Sequence, residues 1–186
     1  MRNLLLVIIL IVICFTSCNN EPNPFEIGKQ HVGLLNDSTQ VKDLEVIFSK
    51  DSVSKFSSGD EFESNINTIE IFDADSKRLL VLTPENITDS TSVIKSVQIV
   101  DPRYKTEKNI STASTFKDIN EAYKISRINN LINSVVIFVN EINASFTIDK
   151  KELPANLRFD MDLQIEETHI PDNAKIKYFF LNWNYN

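Results

Sequence analysis

Glycine is scarce in this chain, which has only three among its 186 residues, at positions 28, 33 and 59. The body after Gly59 therefore has no glycine-rich phosphate loop and no G-x-S-x-G nucleophile elbow, because both need glycine at fixed positions. Turn residues with positive φ must then be Asn, Asp or a similar residue. Candidates for this role include Asn86, Asn109, Asn143 and Asn173. An AT-rich genome explains the high Asn, Ile and Lys content equally well.

Cysteine and histidine are also scarce, and their positions exclude several kinds of site. Cys14 and Cys18 are the only cysteines, so a chain processed at Cys18 can form no internal disulfide and no thiolate zinc site. The two histidines, His31 and His169, do not form a two-histidine metal motif. Two glutamates precede His169, but neighbouring side chains on a strand point to opposite faces. We therefore predict a surface loop at His169 rather than a metal site.

Basic residues are outnumbered by acidic ones, 19 Lys plus Arg against 26 Asp plus Glu, which gives a net charge of −7. This balance argues against a nucleic-acid partner, which would require a basic face to neutralise phosphates. The composition is 42% apolar and 24% charged. Such a composition is typical of a chain that folds around a packed core.

No arrangement typical of a catalytic site stands out. The stretch from Asp73 to Ser76 begins like a calcium loop, but an EF-hand needs glycine and then Glu where this chain has Arg78 and Pro84. We interpret the stretch as a solvated hairpin turn. The many acidic residues allow numerous carboxylate pairs for glycoside cleavage, and spacing singles out none of them. We therefore predict a protein that is not an enzyme, with no catalytic residues, no cofactor and no metal.

The first residues have the pattern of an export signal. A short positive start, Met1 to Asn3, precedes an apolar run over 4–15 and then Thr16, Ser17 and Cys18. The run is too short to span a bilayer, which needs about 20 apolar residues. A polar segment with two prolines follows over 19–24 and has the composition of an extended tether.

The end of this signal, Phe15-Thr16-Ser17-Cys18, resembles the lipobox of bacterial lipoproteins. The resemblance implies cleavage before Cys18 and acylation of that cysteine, so that the membrane is a partner through the N-terminal lipid. Asn19 is not the aspartate that marks inner-membrane retention in enteric bacteria, which favours the outer membrane. An ordinary secretory signal or an uncleaved anchor are the alternatives. The expected organisation is a signal over 1–17, a lipidated cysteine and tether over 18–24, and one globular domain over 25–186.

The domain is predicted to contain two short helices and several antiparallel strands. Apolar residues three and four apart predict a helix over about 40–49, capped by Ser38 or Thr39, and another over about 116–124, capped by Thr115 with Asp118. Strands are predicted over about 68–71, 79–82, 93–100, 134–140, 144–149 and 175–183.

The two helix starts are alike, since Val41-Lys-Asp-Leu44 parallels Phe116-Lys-Asp-Ile119 and strand signals follow each. A duplicated helix-plus-hairpin unit explains this likeness, and so does coincidence between two capped helices. Because no long helices alternate with strands, we predict an α+β fold with a mainly antiparallel sheet and two short helices, composed of two similar helix-plus-hairpin halves if the duplication is real.

Two groups of residues are candidates for ligand contact. The loop after the 93–100 strand brings Arg103, Tyr104 and Lys105 together in an acidic protein, where Arg could bind a carboxylate or phosphate and Tyr could stack on a sugar or peptide. The alternative is a connection whose cations balance nearby acids. In the last strand, alternation puts Tyr178 and Phe180 on one face and the aromatic residues Phe179 and Trp183 on the other, and we interpret all four as core.

As a whole, the chain resembles the small uncharacterised lipoproteins of the Bacteroidota, in its lipobox and in the stretches VKDLEVIF, DPRYKT and STFKDI. The resemblance implies no activity. We expect a lipid-anchored, non-enzymatic module of the cell envelope that contacts a protein or a glycan. The alternatives are a small-ligand binding protein that uses Arg103, Tyr104 and Lys105, and an inhibitor of an exported enzyme.

Overall fold

A computed structural model describes residues 23–57, 67–160 and 163–183. An eight-stranded sheet forms the frame. Its strands are β4 (Ser52–Ser57), β5 (Asn67–Phe72), β6 (Arg78–Pro84), β7 (Ile94–Ile99), β9 (Arg127–Asn130), β10 (Ser134–Val139), β11 (Ala144–Asp149) and β12 (Ile176–Asn182). They run in the spatial order β4-β5-β6-β7-β12-β11-β10-β9, and every neighbouring pair is antiparallel.

A second sheet of two-residue strands lies at the start of the body. It has the order β3-β2-β1-β8 and is formed by β1 (Glu26–Ile27), β2 (His31–Val32), β3 (Leu35–Asn36) and β8 (Lys105–Thr106). The β1–β8 pair is parallel and ties the residues after Asn23 to the segment that follows β7. These strands were not predicted, because two residues are too few to produce a periodic pattern.

The helices are short, as predicted. A 3₁₀ turn (Val41–Asp43) leads into α1 (Leu44–Ile47), and the longer helix is α2 (Phe116–Ala122). Three further 3₁₀ turns lie at Lys150–Glu152, Ala155–Leu157 and Glu167–His169. The α+β class with a mainly antiparallel sheet and short helices is therefore confirmed.

The caps of the two helices differ from the prediction in one case. At α2 the predicted pair is right, since the Thr115 backbone N–H donates to Asp118 at 2.7 Å. At the first helix the cap is Gln40, whose N–H donates to Asp43 at 3.1 Å. The hydroxyl of Thr39 instead accepts a hydrogen bond from the Asn36 N–H, so it serves the preceding turn and not the helix.

The main sheet consists of two similar halves. Each half is a short helix followed by a four-stranded meander, β4 to β7 in the first and β9 to β12 in the second, and the halves meet where β7 pairs with β12. At that junction Phe180 lies opposite Gln98, and the pairs on either side are Phe179 with Ile99 and Leu181 with Val97. A rotation that exchanges the two halves superposes the Phe179–Ile99 pair on the Leu181–Val97 pair and the Gln98–Phe180 pair on itself. A pseudo-twofold axis therefore passes through the Gln98–Phe180 pair.

Irregular features recur at equivalent places in the two halves. Both β7 and β12 contain a bulge, formed by Lys95 in β7 and by Lys177 in β12. The Lys95 ammonium pairs with Glu85 at 3.3 Å and the Lys177 ammonium pairs with Asp149 at 3.1 Å. Each helix cap also forms an isolated bridge to the residue before the last strand of its half, Gln40 to Val93 and Thr115 to Lys175. The fold is thus repeated, as the first of the two explanations of the helix starts implies, and each half has four strands instead of a hairpin.

One face of the main sheet carries the core. Its central side chains are fully buried, including Ile69, Leu80, Val97, Ile137, Phe146 and Phe179. The helices contribute Leu44 and Ile119 to the same core. Side chains on the other face, which we call the exposed face, are mostly accessible to solvent in part or in full. This alternation follows from the two-residue period of a strand.

The prediction that Asn, Asp or a similar residue occupies the turns with positive φ is confirmed in part. Asn109 and Asn143 have positive φ, at 61° and 52°, as predicted. Asn86 and Asn173 do not, and Ser76 has φ 60° in the turn between β5 and β6. The Asn86 side chain instead accepts hydrogen bonds from the N–H and hydroxyl of Thr88, so its polar group organises the loop without a left-handed backbone.

Candidate functional site

Asp101 is the centre of a compact ion-pair cluster just after β7. Its side chain is 0% exposed, yet it accepts hydrogen bonds from the Arg103 N–H at 2.8 Å, from Arg103 Nε at 3.1 Å and from Arg103 Nη2 at 3.0 Å. The Lys77 ammonium adds a contact at 2.8 Å. Burial alone would raise the pKa of Asp101, but the hydrogen bonds from Arg103 and Lys77 outweigh burial and lower this pKa to about 2.

Asp73 joins the same cluster from the turn between β5 and β6. One of its carboxylate oxygens accepts from the backbone N–H groups of Asp75 and Lys77, and the other accepts from Arg103 Nη2 at 2.8 Å. The Lys77 backbone contact is the main reason why the pKa of Asp73 is lowered. In turn, the hydrogen bonds to Asp101 first and to Asp73 second raise the pKa of the Arg103 guanidinium. The hairpin-turn interpretation of this stretch is therefore right.

Tyr104 is buried in the core beside this cluster. It is 3% exposed, and its ring packs edge-on against Phe25 with 5.1 Å between ring centroids. Burial is the main reason why the pKa of Tyr104 is raised to about 12, and the nearby charge of Asp51 adds to the effect. The Arg103 guanidinium lies 4.9 Å from the centroid of the Phe25 ring, so it also packs against this aromatic wall.

A cavity of about 120 Å³ lies between these groups. Its polar lining is formed by Arg103, Tyr104, Asp51 and Asp73, and its apolar wall by side chains from the small sheet, α1 and β6. The pKa of Asp51 is raised, first by burial and then by the charge of Asp73. The cavity is large enough for only a few water-sized groups.

Arg103 and Tyr104 line one cavity, but Lys105 lies outside it. The exposed Lys105 lies on β8 and borders a separate cleft together with Lys108 and Glu121. Arg103 already binds two carboxylates through Nε and Nη2, so an anionic ligand would have to reach its Nη1 side or displace part of these contacts. Ligand binding by Arg103, Tyr104 and Lys105 remains a prediction.

The exposed face of the main sheet carries a second group of aromatic residues. Tyr178 is 41% exposed, and its ring lies 6.3 Å from that of Phe180, which is half-buried. On β10, which β11 separates from β12, the Arg127 guanidinium lies over the Phe138 ring, 4.1 Å from its centroid. The core interpretation is thus right for Phe179 and Trp183 and wrong for Tyr178 and the half-buried Phe180, which lie on the exposed face.

Sequence reasoning missed Phe138 and Arg127, although a signal was available. In the stretch SVVIFV, alternation assigns Val135, Ile137 and Val139 to one face, so Phe138 must lie on the other. β9 has only four residues, and Arg127 at its start offers no periodic pattern of its own.

The histidine region is a capped surface turn, consistent with the surface-loop prediction. His169 Nδ1 accepts a hydrogen bond from the Glu166 N–H at 3.2 Å, which closes a 3₁₀ turn. In residues 23–57, 67–160 and 163–183, no three His, Cys, Asp or Glu side chains are grouped so that they could hold a metal ion. The predicted lipidation residue, Cys18, lies outside the described residues. Within the part of the chain that the structure covers, no helix is long and apolar enough to cross a bilayer.

Comparison with known proteins identifies a similar fold and no function. No protein family model matches the chain, and no curated protein matches its sequence. The crystal structure of the uncharacterized protein YfeY from Escherichia coli superposes with a TM-score of 0.55 and 12% sequence identity, covering 84% of this chain and 99% of YfeY. At this identity the likeness shows the fold alone.

Proposed function

We propose that this protein is an exported lipoprotein of the bacterial cell envelope, anchored by acyl groups on Cys18 and directed to the outer membrane. The carrying observation is the lipobox-like sequence Phe15-Thr16-Ser17-Cys18, which stands directly before a proline-bearing tether and a folded body. Two or more acyl chains give stable anchoring, whereas a single chain holds a protein only marginally. Asn19 next to Cys18 supports the outer membrane.

Its role is to contact another envelope component, a protein or a glycan, rather than to catalyse a reaction. Support comes from the exposed face, where Tyr178 and Phe180 are close together and Phe138 carries Arg127. Accessible aromatic rings stack on sugars and peptides, and aromatic and Arg residues are enriched among the side chains that dominate binding. Polar neighbours such as Gln98 supply hydrogen-bonding groups beside these rings.

Metabolic labelling tests the anchor. Cells that express the wild-type chain should incorporate labelled palmitate into the product, and the Cys18→Ala variant should not. Absence of label from the wild type, or equal label in both, would contradict the anchor.

Affinity capture from envelope extracts tests the role of the exposed face. The wild type should enrich specific proteins or glycans, and a Tyr178→Ala, Phe138→Ala double variant should lose at least about tenfold of this enrichment, since aromatic residues dominate contact energies. The matched control is Thr88→Ala, an exposed loop position between β6 and β7. Equal capture by all three forms would contradict the assignment of the face. Reproducible hydrolysis of an envelope substrate, abolished by one acid-to-amide change, would contradict the non-enzymatic role.

A small-ligand role is the second candidate, and the cavity between Arg103 and Tyr104 is the observation that favours it. In this role Arg103 would bind an anionic group through its Nη1 side or by giving up its contact with Asp73, and Lys105 would contribute only if the ligand also reached the separate cleft at β8. A thermal-shift screen against sugars, peptides and anions tests this. Stabilisation by an anion should disappear in Arg103→Ala, and an Arg103-independent response would remove the candidate.

A further inference from the structure

The described part of the chain begins at a corner of the body that is rich in apolar side chains. Gly33 packs so closely on this start that an added Cβ would come within 2.2 Å of the Pro24 carbonyl oxygen. Leu34 follows directly, and it lines the small cavity together with Pro24, Phe25 and Ile47. Val46 adjoins Ile47 on α1. We call this set the N-terminal corner: Pro24, Phe25, Leu34, Val46 and Ile47.

Two of these side chains turn outward. Leu34 is 51% exposed and Val46 is 79% exposed, whereas Phe48 beside them is buried. Apolar side chains are also exposed elsewhere on the described body, so what distinguishes these two is their place beside the point where the chain leaves the body. The charged residues within four positions of Val46 are two of each sign, Lys42 and Lys50 against Asp43 and Glu45, so this stretch has no excess of either charge.

The tether limits how far this corner can lie from the anchor. Five residue steps separate Cys18 from Asn23, and a fully extended chain covers at most about 3.6 Å per residue, or about 18 Å in all. A domain of this size has a radius of gyration of about 15 Å, so the tether is shorter than the body is wide. If Cys18 is acylated, the N-terminal corner is therefore always within a short distance of the lipid headgroups.

We infer that the N-terminal corner is a membrane-contact surface, in which Leu34 and Val46 enter the headgroup region of the bilayer that holds the Cys18 lipid. This inference rests on the acylation proposed above. Two apolar side chains alone are too weak to hold a protein on a membrane, but the anchor keeps them at a high effective concentration near it. The contact then fixes the orientation of the body and directs the rest of its surface away from the lipid.

Fluorescence quenching in vesicles tests this contact. Cys14 lies in the predicted signal and Cys18 is blocked by acylation, so a single introduced cysteine can be labelled selectively. Leu34→Cys, Val46→Cys and the control Thr168→Cys are each purified as the acylated full product, labelled with an environment-sensitive dye, and reconstituted into phosphatidylcholine vesicles with and without nitroxide-bearing lipids. Thr168 is a suitable control because it is exposed and lies beside β9, five strands away from β6, which at about 4.8 Å per strand is about 24 Å across the sheet.

Labels at positions 34 and 46 should be quenched by the nitroxide lipids at least about threefold more than the label at position 168, with emission shifted to the blue. The mass of the N-terminal peptide is measured on the same samples. Equal, weak quenching at all three positions in acylated protein overturns the inference and leaves the anchor intact. A blue shift without lipid quenching also overturns it, because another protein or a second copy then covers the corner. An unacylated Cys18 overturns both the inference and the proposed anchor.

Discussion

Replacing Asp101 by Asn removes the negative charge on which Arg103 and Lys77 converge. The carboxylate is wholly buried and accepts hydrogen bonds on both oxygens, at 2.8–3.1 Å. Asn retains one acceptor oxygen but presents an NH₂ group where the carboxylate received donors. Arg103 keeps its contact with Asp73, so the loss is confined to the Asp101 side of the cluster.

The pKa of Asp101 gives the magnitude. Its lowering from 3.8 to about 2 corresponds to about 2.5 kcal/mol, at about 1.4 kcal/mol for each pH unit. The folded state binds this proton less tightly than the unfolded chain. The contribution of the Asp101 charge to the free energy of unfolding is therefore complete above about pH 4 and is lost as the pH falls through about 2. At pH 7 we expect Asp101→Asn to lower the free energy of unfolding by about 2–3 kcal/mol.

Urea denaturation of the mature chain, followed by the fluorescence of Trp183, measures this effect between pH 7 and pH 2. The wild type should lose more stability than Asp101→Asn as the pH falls below 4. Glu45→Gln is the control, because Glu45 lies on the exposed side of α1. A free energy of unfolding for Asp101→Asn within about 0.5 kcal/mol of the wild-type value at pH 7, together with an unchanged pH profile, would refute the reasoning.

The main sheet could be predicted from the sequence wherever its strands are long enough to alternate. Six of the eight strands were predicted close to their observed bounds, such as β11 over Ala144–Asp149. β4 was missed because Val53 is the one aliphatic side chain of SVSKFS. β9 was missed because RINN is short and polar, and it is recognisable only through its pairing with β10. Pairing between distant segments is tertiary information that a local pattern does not contain.

The candidate site was predicted only in part for a related reason. Composition identified Arg103 and Tyr104 as unusual neighbours. It could not reveal that Asp73, 30 residues earlier, accepts a hydrogen bond from the Arg103 guanidinium. Nor could a residue type alone decide that Tyr104 packs against Phe25, since that contact depends on the β1–β8 pairing. By contrast, the likeness of the two helix starts was visible because capping is local.

Two further substitutions test the packing and the turns. Phe179 lies at the centre of the core, and its ring centroid is 4.5 Å from that of Phe146. In urea denaturation, Phe179→Ala should lower the free energy of unfolding by about 3–5 kcal/mol, because removing a fully buried aromatic ring leaves a cavity. A loss under about 1 kcal/mol would mean that the site collapses or is not core. Asn143 has φ 52°, a conformation in which β-branched side chains are strained. Asn143→Val should therefore lower the free energy of unfolding by about 1–3 kcal/mol, and Asn143→Gly should leave it almost unchanged. Equal stability of the two variants would show that the backbone does not adopt this conformation.

The central claim is that a folded body is tied to a bilayer through Cys18, and the most direct measurement is the mass of the N-terminal peptide of protein extracted from native membranes. Cleavage before Cys18 and acylation predict a first peptide that begins at residue 18 and carries the mass of fatty acyl groups. A peptide that begins elsewhere, or one that begins at Cys18 without acyl mass, would contradict the account.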